Sequence, residues 1–185
     1  MFEPAPNTAL LLIDVQQGFN EPSWGPRNNP DAEANIARLI AAWRGAKAPV
    51  IHIFHDSRTP MSPLHPGDPG NAPKPEALPL VGERQFRKGV NSAFIGTALE
   101  DHLRASGIEA IVVVGLTTNH CVSTTVRMAA NLGFKVAVVS DATATFDRMT
   151  VDGRNRPAQD VHEAALSDLH GEFAVVVDAA DLLGA

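Results

Sequence analysis

The sequence predicts an α/β fold in which a parallel β-sheet is covered on both faces by helices. Short runs rich in β-branched residues recur along the chain without alternating in polarity, which is typical of strands buried on both faces. Stretches with apolar residues three and four positions apart lie between these runs, and glycines follow several of them. This β-α-β order favours a doubly wound sheet with right-handed crossovers.

Five apolar runs are predicted to be the strands of this sheet. They cover residues 10–15, 50–54, 111–114, 136–139 and 174–177. A short hairpin element is expected near residues 84–87. All of these runs are separated by helical or loop-like segments, so the strands are expected to pair in parallel.

Helices are predicted between the strands. The clearest covers residues 31–46, where Pro30 and Asp31 stand at the start. Its apolar stripe has the spacing of a buried helix face and consists of Ile36, Leu39, Ile40 and Trp43. The other predicted helices end near glycines and cover residues 96–105, 121–132 and 158–169.

The composition limits the class of protein. With 185 residues, 44% of them hydrophobic and 19% charged, the chain is predicted to be one globular domain over residues 1–185. A formal charge of −6 argues against a nucleic-acid partner or an anionic membrane surface. No apolar run approaches the ~20 residues of a membrane span, and no targeting segment is evident. The one cysteine, Cys121, excludes an internal disulfide, so we expect a cytoplasmic protein.

Residues 59–79, here called the proline-rich segment, interrupt the β-α-β pattern. They carry seven of the fourteen prolines, which excludes a helix or a central strand. A segment of this length without secondary structure is uncommon inside a compact domain. Two interpretations stay open: a surface excursion, or a stiff wall beside a functional site or against another subunit.

Three residues with reactive side chains follow predicted strands. Ligands of doubly wound sheets bind beyond the carboxyl ends of the strands, where Asp14, Lys88 and Cys121 are expected. A cysteine at a helix start gains from the helix macrodipole, which favours the thiolate, and from nearby N–H groups. A carboxylate at Asp14 needs a cation such as Lys88, and it could then take the thiol proton. Each residue alone has an ordinary structural explanation, so the prediction depends on all three together.

Three motifs resemble those of the isochorismatase-like cysteine hydrolases. They occur in the family's order at residues 11–19 (LLIDVQQGF), 87–94 (RKGVNSAF) and 115–129 (GLTTNHCVSTTVRMA). Residues 133–136 (GFKV) and 140–142 (SDA) also fit the family's pattern. The resemblance extends over residues 9–177, which is nearly the whole chain.

The resemblance implies a three-layer fold with a six-stranded parallel sheet and a catalytic triad of Asp14, Lys88 and Cys121. It also implies a cis peptide bond between Leu116 and Thr117, with the backbone amides of Thr117 and Cys121 forming an oxyanion hole. The implied reaction is acyl transfer through a thioester on a small-molecule amide, without a cofactor. By the same resemblance we expect a homo-oligomer, either a dimer or a tetramer.

Two branches of the family bear on the reaction. Isochorismate hydrolases cleave a vinyl ether and typically lack the cysteine, so Cys121 favours cleavage of a C–N bond. Nicotinamidases add a metal site with an Asp-x-His pair, and the aligned residues here are His55 and Ser57. His55, Asp56 and His65 could still gather a divalent ion, so a metal-dependent deamidase remains an alternative to metal-free chemistry. A non-catalytic family member is the third possibility.

A substrate pocket is expected between the loop after the first strand, the turn before the cysteine and the proline-rich segment. Its candidate substrate-binding residues are Phe19 and Trp24 as aromatic walls, with Asn119 and His120 as polar contacts. These side chains do not identify the substrate. The sequence therefore predicts a cysteine hydrolase of small amides and leaves the particular amide open.

Overall fold

The computed structural model describes residues 2–184, and its central feature is a six-stranded parallel sheet. The strands are β1 (Thr8–Ile13), β2 (Val50–His55), β3 (Arg84–Lys88), β4 (Ala110–Leu116), β5 (Lys135–Ala144), β6 (Arg148–Met149), β7 (Asn155–Arg156) and β8 (Val175–Val177). The sheet has the order β3-β2-β1-β4-β5-β8, and β6 pairs with β7 in a separate antiparallel ribbon. The predicted α/β class and the six parallel strands are confirmed.

Helices cover both faces of the sheet. They are α1 (Ala32–Gly45), α2 (Leu99–Ala105), α3 (Ser123–Asn131), α4 (Ala158–Leu169) and α5 (Ala179–Leu183). One apolar core joins the sheet to α2, α3 and α4, and a second core joins its other face to α1 and α5. The result is the predicted three-layer arrangement.

Strand β1 shows why the buried strands have no polar face. Its side chains point alternately to the two sides of the sheet. Leu11 and Ile13 enter the core with α2, α3 and α4, while Leu10 and Leu12 enter the core with α1. All six residues of β1 are buried, so an uninterrupted apolar run is required.

The order of the strands reverses at β1, which lies between β2 and β4. Ile13, at the end of β1, pairs with Ile53 of β2 and with Gly115 of β4. His55, at the end of β2, pairs with Lys88 at the end of β3. Residues that directly follow these strands therefore meet at one edge of the sheet, the edge where doubly wound folds bind ligands.

The prediction of a hairpin near residues 84–87 was wrong. Strand β3 runs parallel to β2 and forms the edge of the sheet, and most of its residues are exposed or half-buried. Polar residues on an exposed edge strand discourage pairing with other chains, and they also hide the apolar signature of a buried strand.

Two predicted helices begin later in the structure. Helix α2 begins at Leu99, because Gly96 adopts a positive φ of +73° and ends the preceding turn. Helix α3 begins at Ser123, since a π-helical turn over Thr118–Val122 precedes it. Within residues 2–184, no helix combines the length and hydropathy that crossing a bilayer requires.

Gly115 permits the close approach of β4 to β1 just before Asp14. Its φ is +117°, and a Cβ atom built on it would lie 2.0 Å from the carbonyl oxygen of Ile13. Any side chain at Gly115 would therefore push β1 away from the edge where the strand ends meet.

We predict that Gly115→Ala lowers the free energy of unfolding by about 3 kcal/mol, because backbone strain and overpacking add there. Gly153→Ala is the matched control, since Gly153 also has a positive φ, +83°, but has no atom within 4 Å of the added Cβ. The control should lose only about 1 kcal/mol. Urea denaturation measures both, and equal losses would contradict the close approach.

Candidate active site

A cavity of about 140 Å³ opens where β1, β2 and β4 end. Its lining combines acid, thiol, imidazole and aromatic side chains, contributed by Asp14, Phe19, Trp24, His55, Leu64, Asn91, Thr117, His120 and Cys121. Of the predicted triad, Asp14 and Cys121 line the cavity directly. Lys88 lies behind Asp14, so the structure brings all three together.

Asp14 and Lys88 form a fully buried ion pair. The Lys88 ammonium donates to Asp14 Oδ2 at 2.7 Å, and both side chains are completely shielded from solvent. The same ammonium donates to Nδ1 of His55 at 3.0 Å. The second carboxylate oxygen, Asp14 Oδ1, is buried and has no hydrogen-bond partner among the described residues. One oxygen of the carboxylate is thus held by Lys88, and the other is left to accept a proton.

Burial raises the pKa of Asp14 above its ordinary value of 3.8, although Lys88 acts in the opposite direction. Desolvation disfavours the ionised carboxylate, while the ammonium and its hydrogen bond favour it. A carboxyl group with a raised pKa is a stronger base when ionised, which suits a group that must take and return a proton.

Cys121 lies within reach of this carboxyl group. Its Sγ, a ring nitrogen of His55 and a carboxylate oxygen of Asp14 lie within 4.8 Å of one another. Sγ also approaches Asn91 Oδ1, at 3.8 Å. No other chemically reactive sulfhydryl competes with it, because the chain has one cysteine.

The helix end does not make Cys121 a thiolate in the resting protein. Burial, followed by the charge of Asp14, raises the pKa of Cys121 to about 12. The macrodipole of α3 is a weaker effect than removing a thiolate from water. Cys121 is therefore a neutral thiol at physiological pH and needs a base to become a nucleophile.

The turn before Cys121 contributes residues to the lining of the cavity. The peptide bond between Leu116 and Thr117 is cis, and the Thr117 carbonyl accepts from the amides of His120 and Val122. Thr117 and Cys121 both line the cavity. These are the two positions expected to stabilise an oxyanion.

His162 supports this turn and was missed from the sequence. Its Nδ1 lies 2.9 Å from the hydroxyl of Thr118, and both side chains are buried. Burial lowers the pKa of His162, so a neutral imidazole makes this hydrogen bond. The contact ties the turn to α4, and only tertiary packing shows it.

The expected aromatic wall of Phe19 and Trp24 is present, and Phe146, which is not among the residues that line the cavity, packs against both rings. The ring centroids of Phe19 and Trp24 lie 5.1 Å apart, and Phe146 lies 5.5 Å from Trp24. The Trp24 indole N–H donates to the carbonyl of Gly18 at 2.8 Å, which fixes the ring. Phe146 follows β5, which runs past its predicted end at residue 139 to Ala144.

The two polar substrate candidates lie in different places. His120 lines the cavity, and the Arg148 guanidinium donates to its Nε2 at 2.8 Å. Burial and Arg148 lower the pKa of His120, so it is neutral. Asn119 does not line this cavity: its Oδ1 accepts from the Thr145 hydroxyl at 2.6 Å, and its side chain lies on a neighbouring groove. The structure gives Asn119 a role in holding the turn.

The proline-rich segment forms a wall of the site. Leu64 lines the cavity, and the buried amide of Asn71 donates to the carbonyl oxygens of Leu64 and His55. Gln16 completes the attachment by donating to the carbonyl of Asn71 and accepting from the amide of His55. Of the interpretations left open, the structure supports the wall beside the site.

The proposed metal set of His55, Asp56 and His65 is not assembled among residues 2–184. Asp56 pairs instead with Arg87, at 2.6 Å. The acid, imidazole and thiol of the cavity could ligate a metal by their chemistry, but the Lys88 ammonium already contacts the acid and the imidazole. A second cation beside it would be repelled, so these residues fit a metal ion poorly.

Comparisons with known proteins relate the chain to one family. A family model described as the isochorismatase domain matches residues 8–181. The uncharacterized isochorismatase family protein YrdC of Bacillus subtilis is 43% identical over 175 residues, which are 95% of this chain and 94% of that protein. A crystal structure assigned to the isochorismatase family, from Chromobacterium violaceum, has a TM-score of 0.94 and 49% identity. That similarity covers 97% of this chain and 93% of the other.

A relative with a named activity is more distant. Nicotinamidase 3 of Arabidopsis thaliana is 30% identical over 183 residues, covering 92% of this chain and 84% of that protein.

We predict that Lys88→Met lowers the free energy of unfolding by about 3 kcal/mol at neutral pH, because it leaves the Asp14 carboxylate buried without a partner. A raised pKa means that ionising Asp14 costs stability as the pH rises above 3.8, and Lys88 offsets that cost. Below 3.8, Asp14 is protonated in both folded and unfolded chains, so this loss should disappear.

Urea denaturation at neutral and acid pH measures the effect. The exposed Lys135→Met variant is the control and should change stability by less than about 0.5 kcal/mol at either pH. An equal loss in Lys88→Met at both pH values would mean that Lys88 acts through packing alone.

Proposed function

The chain belongs to the isochorismatase family of hydrolases, and from this we propose that it is a cysteine hydrolase that cleaves an amide-type C–N bond of a small molecule. The observation that carries the proposal is the unpartnered Oδ1 of Asp14 beside the protonated thiol of Cys121, in a cavity at the carboxyl ends of the strands. A carboxylate oxygen that can accept a proton and a thiol that must lose one are placed together.

The reaction begins with proton transfer from the Cys121 thiol to Asp14. The sulfur bonds to the amide carbonyl carbon, and the carbonyl electron pair moves to oxygen. The amides of Thr117 and Cys121 stabilise this oxyanion. When the intermediate collapses, the C–N bond breaks and the leaving amine takes the proton from Asp14, which leaves a thioester on Cys121.

Hydrolysis of the thioester completes the cycle. Water gives a proton to Asp14 while its oxygen bonds to the carbonyl carbon. The C–S bond then breaks, and the departing sulfur takes the proton back from Asp14. Lys88 keeps Asp14 ionised before each of the two proton transfers and fixes its orientation.

The cavity is suited to a small substrate. Its volume of about 140 Å³ admits a few heavy atoms around the carbonyl, and Phe19, Trp24 and Leu64 supply an apolar surface. A relative named nicotinamidase supports an amide as the cleaved group. We include a cytoplasmic location in the proposal, since a reduced thiol is required for the chemistry. A homo-oligomer, either a dimer or a tetramer, is also part of the proposal.

The alternatives have less support. A metal-dependent deamidase needs a site for the ion. The Lys88 ammonium already contacts Asp14 and His55, the groups that a metal ion would need. Metal analysis of the purified protein separates the two, because stoichiometric zinc or iron would favour the metal-dependent reaction. A non-catalytic role does not explain a fully buried acid and ammonium placed beside the one thiol of the chain.

We predict that Cys121→Ala abolishes both hydrolysis and covalent acylation. A screen of small primary amides, N-carbamoyl compounds and lactams for released ammonia or amine identifies a substrate. Intact-mass measurement after a denaturing quench then detects the acyl group on the wild-type protein. Hydrolysis by the folded Cys121→Ala variant would remove the basis of the proposal.

We predict that Asp14→Asn lowers turnover by about 10²-fold to 10⁴-fold, because no base remains to accept the thiol proton. The same change removes the negative charge beside Cys121, so the pKa of the thiol should fall below about 12. Iodoacetamide should therefore alkylate the variant at lower pH than it alkylates the wild type. The exposed Asp168→Asn is the control, and turnover at the wild-type rate in a folded Asp14→Asn variant would contradict the proton transfer.

A further inference from the structure

His55 is a half-buried imidazole inside the cavity that the proposed mechanism has not used. It ends β2, beside Lys88 at the end of β3, and it lines the cavity together with Asp14 and Cys121. Its backbone is fixed on both sides, since Gln16 accepts from its amide and Asn71 donates to its carbonyl. The ring is therefore held in a defined place next to the reacting groups.

The contact with Lys88 determines which ring nitrogen carries the proton. An ammonium group only donates, so Nδ1 of His55 must accept at 3.0 Å. Burial and the charge of Lys88 lower the pKa of His55, so the ring is neutral and its proton is on Nε2. This assignment makes His55 a hydrogen-bond donor through Nε2.

The Nε2 atom has no partner among the described residues, yet it is not sealed from solvent. The ring makes one side-chain hydrogen bond, through Nδ1, and the buried polar atoms that lack a partner in residues 2–184 do not include Nε2. A water molecule can therefore reach it. The other imidazole of the cavity is not available for this role, because Nε2 of His120 is already bound by Arg148.

We propose that His55 is the positioning residue for the hydrolytic water, which it holds through Nε2–H while Asp14 Oδ1 takes the proton of that water. The proposal rests on the thioester chemistry proposed above. The water oxygen accepts from His55, one O–H points to Asp14, and a lone pair faces the carbonyl carbon bound to Cys121. The C–O bond forms as the proton moves to Asp14, and the C–S bond breaks as that proton passes to sulfur. His55 itself gains and loses no proton.

This role affects one half of the reaction more than the other. Acylation uses the thiol and Asp14 and needs no water, whereas deacylation requires a water at a defined position. Misplacing a reacting group by about 1 Å can cost on the order of 10²-fold in rate. Loss of the Nε2–H donor should therefore slow deacylation and leave acylation nearly unchanged.

Two substitutions separate the contacts of the imidazole. In His55→Asn, the side-chain oxygen can still accept from Lys88 near the place of Nδ1, but no donor reaches the place of Nε2. In His55→Gln, the amide nitrogen lies near the place of Nε2. The probe is p-nitrophenyl acetate, an activated ester whose leaving group needs no proton. Release of p-nitrophenolate reports acylation, and intact mass reports the acetyl group on Cys121.

For His55→Asn, we expect a full burst of p-nitrophenolate, accumulation of acetyl-enzyme, and deacylation slower by about 10-fold to 100-fold. His55→Gln should recover most of the deacylation rate. Hydroxylamine is itself the nucleophile that attacks the thioester, so its reaction needs no positioned water. It should therefore release the acetyl group from both variants at nearly the wild-type rate.

Deacylation of His55→Asn at the wild-type rate, or equal slowing of acylation and deacylation, would overturn the role of His55. If His55→Asn does not fold, His55→Gln carries the test alone: nearly wild-type deacylation supports the proposal, and slow deacylation overturns it. The wild-type arm tests the underlying chemistry, because absence of an acetyl group on Cys121 would overturn the proposed function and this inference together.

Discussion

The ion pair between Asp14 and Lys88 is the interaction on which the site depends. Two opposite charges without any solvent contact are costly to bury, and they persist only where the geometry is good and hydrogen bonds satisfy them. The ammonium meets this requirement by donating to Asp14 and His55. Without it, the largest effect that opposes the rise in the pKa of Asp14 caused by burial would be lost. The pair therefore favours the ionised form of a carboxyl group that burial alone disfavours.

The sheet topology makes this pair possible. Lys88 ends the edge strand β3, Asp14 follows the central strand β1, and β2 lies between them. The long lysine side chain spans that distance, while the close approach at Gly115 brings the turn before Cys121 to the same edge. The proline-rich segment closes the remaining side, because Asn71 fastens it to the end of β2. Helices on both faces bury the strands, and the cavity opens at the carboxyl ends of β1, β2 and β4.

The thiol and the two imidazoles of the cavity are all neutral, but they differ in their hydrogen bonds. Burial raises the pKa of Cys121 to about 12, so the thiol is neutral at physiological pH. The two imidazoles of the cavity are also neutral, and each is fixed by one cation: His55 by Lys88 and His120 by Arg148. The hydrogen bonding of the two rings therefore differs. Nε2 of His55 has no partner among the described residues, whereas Nε2 of His120 accepts from Arg148. The cation beside each imidazole thus determines which ring nitrogen is left for other hydrogen bonds.

The sequence by itself determined five of the six strands of the sheet and the helix over residues 158–169, and its resemblance to a known family implied that Asp14, Lys88 and Cys121 come together. Buried strands and helix faces follow from local apolar patterns, and strand ends that carry reactive side chains meet at one edge in this topology. It could not determine that β3 is an edge strand, that Asn119 faces a neighbouring groove, or that the thiol is neutral. These features depend on partners distant in the chain, such as β2, Thr145 and Asp14, and on the loss of solvent, which no local pattern records. Only the tertiary structure decided them, because contact distances and desolvation arise when separate segments pack together.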